Sequence, residues 1–147
     1  MPTAIEILNR LLRTKNSSLI RFVAESAPHL GSAGHLRRPL REMLETNRRQ
    51  VAELVTLIDN LGGEPDFRPI NRDEQYLGYL TIIYLLPKLR AAKGQEVAAV
   101  ESALAQLGLT EPAAAALLQS HLAADRADLE VLNRPATPAP RPAASVP

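Results

Sequence analysis

The sequence contains no cysteine, which excludes a disulfide framework, a thiol nucleophile and a thiolate metal site. Aromatic residues make up only 3% of the chain, and no apolar run approaches the roughly 20 residues that span a bilayer. Seventeen basic and sixteen acidic residues leave a net charge of +1, so there is no overall positive field to hold nucleic acid or an anionic membrane. We therefore expect neither nucleic acid nor membranes among the partners of this protein.

What the chain does have is enough apolar sequence for one core. Its 147 residues match the size of a single domain, and 46% of them are hydrophobic. The amino-terminal stretch carries charged residues within its apolar pattern, unlike a signal peptide. A cytoplasmic location is therefore the default expectation.

Apolar residues recur at steps of three and four along most of the chain, which is the spacing of amphipathic α-helices. The first such segment predicts a helix over about residues 4–26, opened by the capping-box pair Thr3 and Glu6. The second predicts a helix over about residues 34–61, and the pair Gly62–Gly63 supplies its C-terminal stop.

A third predicted helix begins at the capping box of Asn71 and Glu74, bends near Pro87 and weakens at Gly94. The fourth follows Thr110-Glu111-Pro112, which combines an N-cap, an acidic first turn and an early proline. No segment of any length is rich in β-forming residues, so the sequence predicts an all-α bundle.

The composition changes sharply after Asn133. Residues 134–147, "RPATPAPRPAASVP", are rich in proline and alanine and contain little that a core would bury. The sequence therefore predicts a domain over residues 1–133 and an extended or disordered tail, which is a candidate docking segment for a partner.

The link between the second and third predicted helices limits the topology. This link, "GGEPDFRPIN" at residues 62–71, contains two prolines that keep it extended. A link of ten residues reaches roughly 33 Å, and the second helix is about 35 Å long. A crossover that returns the chain to the starting end of that helix is therefore allowed, but the link must be taut.

Four helices with such a crossover, and "LGGEP" at the end of the second helix, resemble the ferritin-like superfamily, particularly the bacterioferritin- and rubrerythrin-type bundles. The resemblance covers about residues 4–133. It implies a four-helix bundle of up-down-down-up topology with a short extended crossover. Members of this superfamily bind two iron ions with a Glu from each of two helices and a Glu-x-x-His motif from each of the other two.

The resemblance places non-ligand residues at most of these positions. Lys15 stands at the glutamate position of the first helix, and Asn47 and Gln50 stand where the second helix would supply Glu and His. In the fourth helix, Leu122 and Asp125 stand at the Glu and His positions. Because a fixed ammonium group repels a cation, we expect no metal cofactor, with an iron centre as the alternative.

The polar residues within the apolar stripes allow two interpretations. One is that each lies at the edge of its stripe and extends its polar end into water. The other, which we favour, is that Lys15 and Asp125 form a buried ion pair, joined by Asn47, Gln50 and Tyr84, in the volume that a metal would fill. Burying either charge alone would cost several kcal/mol, so each requires the other. His121, in contrast, is expected to be an ordinary hydrogen-bonded side chain.

The third predicted helix is apolar nearly all round, at Ile82, Ile83, Leu85 and Leu86. One bundle core cannot absorb every face of such a helix, which predicts an interface with a second copy, as a homodimer, or with a partner subunit. The alternative is that these residues contact the crossover link and the tail.

Three functions remain open. The one we favour is a non-catalytic structural or interaction subunit. The second is an iron-binding or iron-oxidising protein with an atypical site or a site completed by a neighbouring subunit. The third is a binder of small apolar ligands, with Thr81 and Tyr84 as polar handles.

Overall fold

A computed structural model describes residues 2–25, 35–69 and 82–134. These residues form five α-helices and no strand: α1 (Ala4–Asn16), α2 (Leu19–Glu25), α3 (Arg37–Asn60), α4 (Ile82–Leu107) and α5 (Pro112–Asn133). The all-α prediction is therefore confirmed for the part that the structure describes. None of the helices in these ranges is both long and apolar enough to cross a membrane.

The prediction of a single first helix over residues 4–26 is wrong, because the helix breaks at Ser17–Ser18. The Ser18 hydroxyl accepts a hydrogen bond from the N–H of Ile20 at 3.3 Å, and the Ser18 carbonyl accepts one from Arg21 at 3.1 Å. Serine side chains compete with the hydrogen bonds of a helix interior and favour its N-terminus. Ser17 is therefore the C-cap of α1, and Ser18 accepts the first hydrogen bonds of α2.

Two predicted helix boundaries are confirmed. Thr3 and Glu6 form a reciprocal capping box at the start of α1. At the end of α3, Gly62 adopts a φ of 82°, and the N–H groups of Gly62 and Gly63 bond to carbonyls of the last turn. A Cβ atom on Gly63 would come within 2.6 Å of the Ile5 side chain, so both glycines are required by geometry.

Helix α4 runs as one helix through Pro87 and Gly94, which is one of the two assignments that its sequence allows. A single glycine in a helix interior costs only about 1 kcal/mol, which packing against other helices can offset. The bend near Pro87 and the weakening at Gly94 stay predictions, and the capping box predicted at Asn71 and Glu74 lies outside the described residues.

The start of α5 differs in its cap. Glu111, and not Thr110, is the N-cap residue, and its side chain makes no capping hydrogen bond. Pro112 occupies the first helical position, where its fixed φ suits the helix and its missing N–H is not needed. The proline therefore determines where this helix begins.

Helix α1 packs against α3 and α4, and α5 packs against the same two helices. The first apolar cluster lies at one end of this bundle and consists of Ile7, Leu8, Leu11, Leu12, Leu54, Leu57, Ile58, Val97, Val100, Ala103, Leu107, Ala114, Leu118 and Leu122. The second apolar cluster consists of Leu19, Ile20, Val23, Leu36, Leu40, Met43, Leu85, Leu89, Ala92 and Leu132. Both α1 and α5 run from the first cluster towards the second, whereas α3 and α4 run in the opposite direction.

Residues 61–69 leave the end of α3 and return along α1 without regular secondary structure. The Asn9 side chain accepts a hydrogen bond from the Asp66 N–H at 2.8 Å. Further along α1, Arg13 Nε donates to the Arg68 carbonyl at 3.0 Å. These contacts fix the described part of the link to the outside of α1, on the way back to the second apolar cluster.

Leu85 is fully buried in the second apolar cluster, so the prediction that it faces a partner is wrong. Leu86 is partly buried and packs against the same cluster. The reason is that the first turns of α4 lie beside α2, and their apolar side chains share one cluster with those of α2 and α3, so this chain covers the face itself. The side chains of Ile82 and Ile83 lie outside the described residues.

Candidate functional site

A layer of buried polar side chains lies along the bundle between the two apolar clusters. We call the following residues the polar layer: Lys15, Ser18, Asn47, Gln50, Lys93, Glu96, His121 and Asp125. None of them is more than 3% exposed, and each of the four long helices contributes at least one. Because polar groups are costly to bury without partners, their mutual contacts decide what the layer can do.

Lys15 and Asp125 form the centre of the layer. Lys15 Nζ contacts Asp125 Oδ2 directly and donates a hydrogen bond to Gln50 Oε1 at 2.9 Å. The amide of Gln50 donates in turn to Asp125 Oδ1 at 3.2 Å. Lys15 and Asp125 are both 0% exposed, so the alternative in which they extend into water is wrong.

A second ion pair, from α4, joins the first. Lys93 Nζ lies 3.1 Å from Glu96 Oε2 and 3.4 Å from Asp125 Oδ1. The other oxygen of Glu96 accepts a hydrogen bond from the Ser18 hydroxyl, and Glu96 Oε2 lies 3.9 Å from Lys15 Nζ. Two ammonium groups and two carboxylates therefore share one buried site, and a third carboxylate, that of Asp128, lies 3.7 Å from Lys93 Nζ at the edge of this site.

The pKa values follow from this arrangement. Burial is the largest influence on Lys15 and lowers its pKa, with the nearby Lys93 charge acting in the same direction. Burial acts to raise the pKa of Asp125, but the two lysines outweigh it and the pKa is lowered. Burial also acts to lower the pKa of Lys93, but Glu96, Asp125 and Asp128 together raise it. Lys93 is thus the firmly charged member of the layer.

Asn47 completes the end of α1. Its Nδ2 donates to the Lys15 carbonyl at 2.9 Å, which supplies a partner for a carbonyl in the last turn of that helix. Its own side-chain oxygen has no hydrogen-bond partner among the residues that the structure describes. Asn47 therefore fixes the position of the Lys15 backbone.

Within the described residues, neither ring nitrogen of the buried His121 has a partner in full hydrogen-bonding geometry, so the predicted ordinary bonded side chain is not found there. Its Nε2 lies 3.5 Å from Glu53 Oε1, which is an electrostatic contact at the limit of hydrogen bonding. Burial lowers its pKa, and the charge of Lys15 acts in the same direction. The lowered pKa favours the neutral form of the His121 ring within the polar layer.

The structure brings together Lys15, Asn47, Gln50 and Asp125 from the sequence-based prediction. The side chain of Tyr84 lies outside the described residues, as does Thr81. Sequence reasoning missed Lys93 and Glu96. A signal existed, because Glu96 continues a stripe at steps of three and four: Leu85, Leu89, Ala92, Glu96 and Val100.

Within residues 2–25, 35–69 and 82–134, no group of three or more His, Cys, Asp or Glu side chains is placed to hold a metal ion. The two central carboxylates, Glu96 and Asp125, are instead paired with lysines. Comparisons of the chain with family models, curated proteins and solved structures found no match.

Proposed function

We propose that this chain is a non-catalytic, ferritin-like four-helix bundle that acts as a structural or interaction subunit and has no di-iron centre. The observation that carries the proposal is the position of the Lys15 and Lys93 ammonium groups. Both lie in the middle of the bundle and are paired with the carboxylates that a metal would need.

The arrangement of the helices supports the ferritin-like part of the proposal. The packing order places α1 and α5 at opposite corners of the bundle, each between α3 and α4. The directions of the four long helices correspond to up, down, down and up. The described part of the crossover runs back along α1, as this topology requires. A di-iron bundle has the same connectivity, with its ligands on inward-facing side chains.

The charges in the polar layer support the absence of a metal. Iron prefers carboxylate and imidazole ligands with open coordination positions. Here each central carboxylate already contacts an ammonium group, and His121 lies 3.5 Å from Glu53 Oε1 and within electrostatic range of both Asp125 and Lys15. A metal ion could bind these carboxylates only if the ammonium groups of Lys15 and Lys93 moved away from them. If the ammonium groups stayed, they would repel the metal ion, and this repulsion is strong in a buried site.

Two exposed apolar side chains are candidate contact points for the interaction role. Phe67 is 51% exposed in the link after α3, and Leu109 is 99% exposed in the turn between α4 and α5. Single exposed apolar side chains are common on protein surfaces, so these two do not form an interaction patch by themselves. The partner is a second copy of this chain or another subunit, and residues 134–147, Ile82 and Ile83 stay candidates for the contact.

The test of the metal-free proposal is elemental analysis of protein produced in iron-supplemented medium. We expect iron, manganese and zinc far below one equivalent per chain. A matched variant, Lys15→Glu combined with Gln50→His, removes one cation from the layer and adds two ligands, and we expect it to retain more cobalt(II) or iron(II) than the wild type. Stoichiometric iron in the wild-type protein would overturn the proposal and support the iron-binding alternative.

The interaction role is tested by light scattering and by affinity capture with the full chain and with a chain that ends at Asn133. We expect either a dimer or a captured partner, and a weaker interaction for the shortened chain if the tail takes part. A monomer that captures nothing in either form would contradict the role.

A further inference from the structure

The contacts of the Asp125 carboxyl group include a nucleophile and two donors. Lys15 Nζ contacts Oδ2, and both side chains are 0% exposed. The other oxygen, Oδ1, receives the Gln50 Nε2–H at 3.2 Å and lies 3.4 Å from Lys93 Nζ. Donors that converge on one carboxyl oxygen stabilise the negative charge that develops there when a nucleophile attacks the carbon.

A group that can carry a proton lies next to the amine. Glu96 Oε2 is 3.9 Å from Lys15 Nζ and is held in place by the Ser18 hydroxyl and by Lys93. Gln50 Oε1 accepts a hydrogen bond from Lys15 Nζ at 2.9 Å and so orients the amine. Nucleophile, carboxyl carbon, oxyanion donors and proton carrier are therefore all present in one water-excluded layer.

We propose that Lys15 and Asp125 condense into an intramolecular amide bond that joins α1 covalently to α5. A bond forms between Lys15 Nζ and Asp125 Cγ, and the bond between Cγ and Oδ2 breaks. Oδ2 leaves as water with two protons, both of which come from Nζ, and Glu96 carries one of them. The step needs no oxidant, reductant or further reactant, because an ammonium and a carboxylate give an amide and water.

Features of this site favour amide formation, which a Lys–Asp ion pair on a protein surface does not undergo. Burial lowers the pKa of Lys15, which increases the fraction of free amine, whereas the two lysines lower the pKa of Asp125 and so disfavour its neutral, more reactive form. Lys93 and Gln50 offset this because they stabilise the negative charge that develops on Oδ1 during attack. Neighbouring groups in well-oriented intramolecular reactions reach effective concentrations of about 10⁵ M or more, and the direct contact of Lys15 Nζ with Asp125 Oδ2 brings the amine next to the carboxyl group. Burial of the pair limits access of water to the product, so even a slow reaction accumulates the amide.

The bond would do in this chain what a disulfide does elsewhere. It would close a loop between residues that are 110 positions apart, in a sequence that has no cysteine. Cross-links over long loops restrict the unfolded chain strongly. The bond would bear on the metal-free role, because it removes the Lys15 ammonium and the Asp125 carboxylate while Lys93 and Glu96 keep their charges. Its readout, the mass of the chain, is separate from the metal content and from partner capture.

The test is the intact mass of the purified full-length protein, measured after denaturation in acid. We expect a mass lower than that of the sequence by one water molecule. The matched variant Lys15→Met should have its full calculated mass. Asp125→Asn should lose ammonia in place of water, because the same attack on an amide expels nitrogen.

Peptide mapping locates the bond. Trypsin should release residues 14–21, uncleaved after Lys15, attached to residues 94–126, which contain Asp125. A loop-linked peptide over residues 91–126 would instead identify Lys93 as the nucleophile and overturn the assignment of Lys15.

The role of Glu96 as proton carrier is tested by the rate of condensation. Glu96→Gln should form the bond more than tenfold more slowly than the wild type, as followed by the loss of mass with time after refolding. Glu101→Gln is the matched control, because Glu101 is an exposed glutamate of the same helix that lies 3.3 Å from Arg126. Circular dichroism establishes that each variant is folded.

A folded wild-type protein that keeps its full sequence mass after prolonged incubation at neutral pH would overturn the proposal. A loss of water that persists in Lys15→Met would do the same, because it would belong to another site. Equal rates for Glu96→Gln and the wild type would remove Glu96 from the mechanism.

Discussion

The first apolar cluster and the polar layer lie on the same four helices and are both buried, yet their stability has different origins. In the cluster, stabilisation grows with apolar area, and many hydrophobic combinations of equal volume serve. In the layer, each charge is tolerated only because specific partners face it. The cluster therefore supplies stability, while the layer fixes the register of neighbouring helices along the bundle axis.

The largest expected effect is that of Asp125→Leu. This change leaves the buried ammonium groups of Lys15 and Lys93 with one fewer counter-charge, and we expect the free energy of unfolding to fall by about 3–5 kcal/mol. Chemical denaturation at neutral pH measures it. The control is Asp59→Leu at an exposed position of α3, which should change stability little. A loss below about 1 kcal/mol for Asp125→Leu would show that the layer is solvated after all.

Leu54 tests the first apolar cluster by itself, because it is a member of that cluster and is 0% exposed. We expect Leu54→Ala to cost about 2–5 kcal/mol and Leu54→Met less than about 1.5 kcal/mol. Equal losses for the two variants, measured by urea denaturation, would contradict the view that volume alone decides here.

In the polar layer, a substitution that preserves the volume of a side chain but removes its charge should still reduce the free energy of unfolding. Glu96→Gln preserves volume but removes the charge that faces Lys93, and we expect a loss of about 1.5–3 kcal/mol, the range for hydrogen bonds to charged groups. The measurement is again chemical denaturation, compared with Glu101→Gln as the exposed control. If Glu96→Gln is as harmless as Leu54→Met, the distinction between the two regions is wrong.

His121 makes the layer sensitive to acid. Burial holds its pKa in the folded state below the ordinary 6.5, with Lys15 acting in the same direction and the carboxylates of Glu53 and Asp125 opposing. The unfolded state therefore binds the proton more readily, so stability is full above about pH 6.5 and is lost as the pH falls towards the folded pKa. We expect His121→Leu to lose less stability between pH 7 and pH 5 than the wild type does.

The smallest effect should come from an ion pair in water. Arg38 and Glu42 are one turn apart on α3, with Nε and Oε1 at 3.0 Å, but their side chains are 87% and 61% exposed. We expect Arg38→Ala to cost at most about 0.5 kcal/mol and the effect to shrink at high salt. A larger loss would mean that this surface is covered in the assembled protein.

The sequence by itself determined the local features of the fold. The spacing of apolar residues gave the helical class, because the period of the α-helix is fixed by its backbone. The capping box at Thr3 and the glycine pair at Gly62–Gly63 act within a few residues, so they were readable without a structure. The argument that a buried Lys15 requires Asp125 also needed only charge and periodicity.

Features that depend on contacts between distant segments follow only from the packing of the helices. Glu96 continues an apolar stripe of α4 and could have been found from it, but Lys93 lies outside that stripe, and a helix with an apolar start on all sides does not reveal which face points inward. The break at Ser17–Ser18 depends in part on Glu96, which binds the Ser18 hydroxyl from another helix. The burial of Leu85 depends on where α2 lies. Local sequence fixes the hydrogen bonds that a helix makes with itself, whereas the partners of a buried charge are chosen by packing.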